Sequence, residues 1–111
     1  MLPKKSRLNL TKSFKFVVAG KKVDTPHFRL AYREGENEHP AVGIAVSGKV
    51  FKKANLRNRA RRLASSAIQS HYTSLRKNLN LVIMPKVTIL QCKTEGLIEE
   101  LKNVKDIFNF N

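Results

Sequence analysis

Residues 55–64 read NLRNRARRLA, and four of the six positions from Arg57 to Arg62 are arginine. A planar guanidinium makes paired hydrogen bonds to phosphate and stacks on bases. Arginines this close repel one another, and no Glu stands four residues away to relieve them, as it normally does on a solvated helix face. The pattern therefore points to a polyanionic partner. Phosphate contacts position such a partner without reading its sequence. Asn58, in the middle of the cluster, either reaches a base edge or ribose hydroxyl or shapes the start of a helix.

No set of side chains with an evident reaction accompanies the arginines. His27, His39 and His71 are isolated, with no HxH, HxxxH or neighbouring Cys spacing to hold a metal. His71 falls near the end of the basic helix, where it favours the C-terminus. Ser65 and Ser66 lack a partner histidine at readable spacing. Glu34, Glu36 and Glu38 alternate within REGENEHP and read as a solvated turn. No glycine-rich phosphate loop is present. We expect no catalytic residue and no metal ligand in this chain; reacting groups would come from a partner.

The arginines are positioned by a helix. From Leu56 the apolar residues fall at Leu56, Ala60, Leu63, Ala64, Ala67 and Ile68, a stripe of helical period. At ~100° per residue, Arg57, Asn58, Arg59, Arg61 and Arg62 fan across the opposite half. Upstream, Thr11 is expected to cap a short helix over Lys12–Ala19, with Gly20 as its stop. That helix carries Phe14, Val17 and Val18 at helical spacing, with Phe16 beside them. PHFRLAYR alternates, with Phe28, Leu30 and Tyr32 on one face and Arg29, Ala31 and Arg33 on the other, which predicts a strand. A short strand around Lys22–Val23 precedes it. AVGIAVS predicts another strand, with Val42, Ile44 and Val46 on one side. Its other side, Ala41, Gly43, Ala45 and Ser47, is small enough to admit either a close-lying ligand or a packed helix.

Leu81–Met84 reads as a buried strand that Pro85 ends or marks as an edge. Thr94 is expected to cap a last helix with Leu97, Ile98, Leu101, Val104 and Phe108 as its stripe. The order helix, strands, helix, strand, helix predicts one α+β domain over residues 1–111, a two-layer α/β sandwich.

The net charge is +14, from 22 Lys+Arg against 8 Asp+Glu. From His39 to Thr94 there is no carboxylate, yet that stretch holds eleven Lys or Arg. The excess belongs to one continuous part of the fold, which favours nucleic acid over mere solubility. No run approaches the ~20 apolar residues that span a bilayer, and the N-terminus lacks the h-region of a signal peptide. Cys92 is the only cysteine; it excludes an internal disulfide and fits a reducing cytosol. A membrane-surface role is disfavoured, because the basic helix has Ala and Leu rather than interfacial aromatics on its apolar side. A helix–turn–helix would need a short helix before the basic one. AVGIAVSGKV reads as strand and turn instead, which favours RNA over the DNA major groove.

The stretch AVGIAVSGKVFKKANLRNRARRLASSAI resembles the central signature of the bacterial ribonuclease P protein component. That signature is a glycine-containing strand, a Ser-x-Lys turn, further basic residues, then Arg-Asn-Arg-x-x-Arg opening a long helix. SRLNLTKSFKFVVAGKK is similar to the family's first helix and LVIMPK to the strand after the long helix. The likeness extends from about Arg7 to the last helix. It implies a left-handed βαβ crossover around the long helix, a fold shared with a domain of a small-subunit ribosomal protein. It also implies a protein that binds a large catalytic RNA in the cytoplasm, with no obligatory protein partner and no membrane. Together they remove the 5′ leader of precursor tRNA, with Mg2+ ions bound mainly by the RNA carrying out the hydrolysis. Lys49, Lys52, Lys53, Arg57, Asn58, Arg59, Arg61 and Arg62 match the region that meets the catalytic RNA. Phe14, Phe16, Val18, Arg29, Ala31, Arg33 and Lys86 match a cleft that receives the single-stranded leader. For Phe14 and Phe16, simple core packing is the alternative. Val18 departs from the family, which carries a second aromatic there, and Pro85–Lys86 replaces a pair more often basic or small. The competing reading is a structural RNA-binding protein such as a small ribosomal protein.

Overall fold

The computed structural model of the chain describes residues 6–108. Its elements are α1 (Leu10–Val18), β1 (Lys21–Asp24), β2 (Phe28–Glu34), β3 (Ala41–Ile44), α2 (Ala54–Gln69), β4 (Leu79–Pro85) and α3 (Thr94–Lys102). The strands form one sheet in the order β1-β2-β4-β3. β1 and β2 make an antiparallel hairpin, and β2 pairs antiparallel with β4. β3 runs parallel to β4, with α2 as the crossover between them. Among the described residues no helix is long and apolar enough to cross a membrane.

The period-2 alternation of the strands decides which side chains meet which helices. Phe28, Leu30 and Tyr32 of β2, Val42 of β3, and Leu81 and Ile83 of β4 form the main core with Ala60, Ala64, Ala67 and Ile68 of α2 and Leu97 and Leu101 of α3. Here the sheet and the α2–α3 layer face each other. The alanines let α2 lie close, so its apolar stripe is narrow and Asn58, Arg59 and Arg62 of its basic half stay in water. On the sheet's second face, Val17 of α1 packs on Ala31 and Val82, flanked by Leu8, Leu10, Phe14, Val18, Ala45 and Met84. Burial, and next the hydrogen bond to Asp106 at 2.9 Å, push the Tyr32 hydroxyl above its usual pKa.

Several helix ends differ from expectation. Asn9, not Thr11, caps α1, its side-chain oxygen accepting from the Lys12 N–H at 3.2 Å. Asn ranks above Thr at this position, and the chain enters the helix two residues earlier. Gly20 is no left-handed stop, because no described glycine has positive φ. Its requirement is space: a Cβ there would stand 2.5 Å from the Tyr32 carbonyl oxygen and 2.9 Å from Arg33 Cβ. Gly20→Ala is therefore expected to cost about 1–3 kcal/mol by overpacking against backbone, read as a lowered urea midpoint.

Thr94 is already inside α3, and the preceding Lys93 makes no side-chain cap. The helix stops at Lys102, so Val104 and Phe108 reach the core from the following turn, and Phe108 bridges to Leu75. His71 lies beyond the end of α2; its Nε2 is 2.8 Å from the Ile98 carbonyl oxygen, and its ring meets Phe108 edge-on. It ties α3 to the core. Pro85 is the last residue of β4, paired with Phe28. Its missing N–H costs the β2 ladder nothing, because the bond beside the Phe28–Pro85 pair is donated by the Lys86 N–H to the His27 carbonyl at 2.9 Å.

Candidate nucleic-acid interface

The α2 helix begins after the turn Ser47–Phe51, which is closed by the Val50 and Phe51 N–H groups donating to the Ser47 carbonyl. Lys49, Lys52, Lys53, Asn58, Arg59 and Arg62 are exposed, and Arg57 and Arg61 are half-buried. None of these residues is in an ion pair with a carboxylate among the described residues. The repulsion noted in the sequence is therefore left uncompensated among the described residues, the condition for a polyanion dock.

The cluster is not uniform. Arg57 donates from Nη1 to the carbonyls of Phe51 at 2.8 Å and Lys52 at 3.2 Å. It braces the turn that carries Lys49 and Lys52. Arg61 donates to Asn58 Oδ1 at 3.0 Å, so Asn58 orients an arginine. Arg59 and Arg62 make no side-chain hydrogen bond within the described residues and are the freest to meet phosphate.

On the other face of the sheet, α1 lies across the strands and divides what it does not cover. Gly43 is covered: a Cβ there would stand 2.6 Å from Leu10 Cδ2. β3 ends at Ile44, short of the expected AVGIAVS strand, and beyond it Ala45 and Ser47 remain open beside Phe14, so the small side of that stretch meets a helix at one end and a hollow at the other. That hollow adjoins a second one; each holds about 510 Å³, and Phe14, Arg29 and Met84 line both. Val18, Lys22 and Asp24 close one end of the resulting groove, and Ser47, Val50, Lys86 and Val87 the other. Because Ser47 and Val50 belong to the turn before α2, the groove opens onto the basic surface.

Of the seven residues expected in the cleft, Phe14, Val18, Arg29 and Lys86 come together. Ala31 does not line it: its side chain is 0% exposed beneath α1 with Val17 and Val82. Phe16 and Arg33 lie across α1 from the groove, Arg33 stacked 4.2 Å over the Phe16 ring and donating to the Phe16 carbonyl. Two residues apart on a helix is ~200°, so Phe14 and Phe16 cannot share a flank. Phe16 is 43% exposed and belongs to neither core.

Met84, Asp24 and Lys22 were missed, although strand alternation puts Lys22 and Asp24 on the face of Arg29. Asp24 sits opposite Arg29 in the hairpin. The Arg29 hydrogen bond, with the Lys86 and Arg29 charges adding to it against desolvation, holds the Asp24 carboxyl below its usual pKa. Cys92 is half-buried, and burial, with the Glu100 charge adding, raises its thiol pKa. Such a thiol is a poor nucleophile at neutral pH. Among the described residues no three His, Cys, Asp or Glu come together as a metal cage.

The family model described as Ribonuclease P matches residues 2–108. The Yersinia enterocolitica ribonuclease P protein component is 29% identical over 103 residues, covering 92% of this chain and 86% of its own. The Acinetobacter baylyi component is 32% identical over 81 residues, covering 73% and 61%. In fold, the chain is similar to the RNase P protein from Thermotoga maritima, with a TM-score of 0.79 at 24% identity over 93% of this chain and 98% of that one. The Staphylococcus aureus RNase P protein gives a TM-score of 0.74 at 22% identity over 100% and 98%. With the model match spanning nearly all of its length, the chain belongs to the ribonuclease P protein family.

Proposed function

We propose that this chain is the RNA-docking subunit of ribonuclease P, a ribonucleoprotein endoribonuclease that removes the 5′ leader of precursor tRNA. The observation that carries the reading is the continuity of an uncompensated basic surface with an apolar-floored, cation-edged groove. Lys49, Lys52, Lys53 and the exposed arginines of α2 hold the catalytic RNA by its phosphates. The groove takes the single-stranded leader, with Phe14 offering a face to a base and Arg29 and Lys86 offering charge to the backbone. Phe16 and Arg33 are left out of that path. Hydrolysis is assigned to the RNA partner, which also supplies the sites for Mg2+. This chain's part is to hold both RNAs in register. The cytoplasm is the compartment such a role requires.

Cleavage of precursor tRNA by a bacterial ribonuclease P RNA at limiting magnesium, with and without the protein, tests this. Stimulated release of the mature 5′ end is expected. A folded protein that binds its cognate RNA without stimulating cleavage would make it a structural RNA binder instead.

A further inference from the structure

Three cationic side chains line the groove, Lys22, Arg29 and Lys86, and one carboxylate, Asp24. The hairpin register sets Asp24 directly opposite Arg29. Its Oδ1 is 3.2 Å from Arg29 Nε and 3.7 Å from Lys86 Nζ, so a single oxygen answers two of the three cations. Lys86 Nζ is also held by the Thr25 carbonyl at 2.9 Å, which keeps it beside the hairpin. The oxygen thus stands where a backbone phosphate oxygen would meet the same pair. The Asp24 side chain is 58% exposed. A pair so open to water is weak, and a phosphate can displace it.

We infer that Asp24 is a built-in competitor for the RNA backbone, occupying the phosphate position between Arg29 and Lys86 and so limiting how tightly the groove holds a single strand. The inference rests on the leader-groove reading above. Such a competitor keeps the leader's hold reversible: it is displaced when the strand enters and returns as the cleaved strand leaves. A residue that only positioned Arg29 and Lys86 would act in the opposite direction, since its loss would slacken both cations and weaken binding.

The test uses the full chain reconstituted with ribonuclease P RNA and two precursor tRNAs, one with a long leader and one with a single-nucleotide leader. For Asp24→Asn, affinity for the long-leader substrate is expected to rise about fivefold at low salt, the scale of releasing two exposed pairs. The salt dependence should steepen by about 0.7 in log–log slope, one more phosphate contact on a single strand. The single-nucleotide substrate should be unaffected. Asp24→Ser, which removes the charge with a different side chain, should give the same change. Unchanged or weakened long-leader binding in both variants overturns the inference. Arg29→Ala separates the two readings. If it weakens long-leader binding while the Asp24 variants do not tighten it, only the competitor role fails. If it too leaves binding unchanged, the groove assignment itself fails.

Discussion

Replacing Arg59 and Arg62 together by alanine is expected to weaken binding of the ribonuclease P RNA by at least about a hundredfold, at the ~1.5–3 kcal/mol typical of a hydrogen bond to a charged group for each. The slope of log affinity against log salt should fall by about one for each arginine removed. Both side chains are exposed, and neither has an ion-pair partner among the described residues, so neither charge is spent within the protein. Their loss should leave the fold untouched. Arg57→Ala should behave differently. Its guanidinium already serves the Phe51 and Lys52 carbonyls, so affinity should drop with a smaller change in slope, because the basic turn loosens while fewer counterions are involved. Salt titrations of the double variant and of Arg57→Ala, side by side, decide this. An unchanged slope in the double variant would remove the basic half of α2 from the interface.

Phe51→Ala is expected to destabilise the protein by about 3–5 kcal/mol, the usual cost of emptying a large aromatic site in a core. Phe51 is 1% exposed and packs in the main core, yet it sits in the turn between β3 and α2. Its N–H closes the turn on Ser47, and its carbonyl receives Arg57. For a chain of this size the loss corresponds to a fall in melting temperature of more than about 12 °C. RNA affinity of the still-folded fraction should also fall, because the anchored ring sets where Lys49, Lys52 and Lys53 point. Its neighbour Val50 is 45% exposed, and Val50→Ala should barely move the melt. A Phe51→Ala loss under about 1 kcal/mol would mean the pocket collapses around the vacancy.

Much of this was legible in the residues, for a physical reason that varies by element. The α2 stripe and the β2 alternation are strict periods, and the structure follows both. The helix ends were read less well, because Asn9 and Thr11, or Lys93 and Thr94, differ by one or two residues in a choice that tertiary contacts make. Gly20 looked like a helix stop, but the constraint on it comes from the Tyr32 carbonyl, twelve residues away and invisible in local sequence. Of the residues expected in the cleft, Phe14, Val18, Arg29 and Lys86 lie along one groove. Ala31 failed because alternation gives a face and not whether a helix covers it. Arg57 was recognisable as basic, but nothing in its spacing showed that backbone carbonyls claim it.

The strand order carries a consequence for how the chain is made. β4 is the last strand to leave the ribosome, yet it lies between β2 and β3. Until Leu79–Pro85 is available, the β1–β2 hairpin and β3 have no ladder joining them, and each presents an open edge. The basic helix α2 is synthesised before the strand that completes the surface beneath it. Non-local pairing of this kind is slow to form and exposed while it waits. The keystone of the sheet is therefore placed late, and a nascent chain halted before Leu79 holds most of its charge with no finished fold to arrange it.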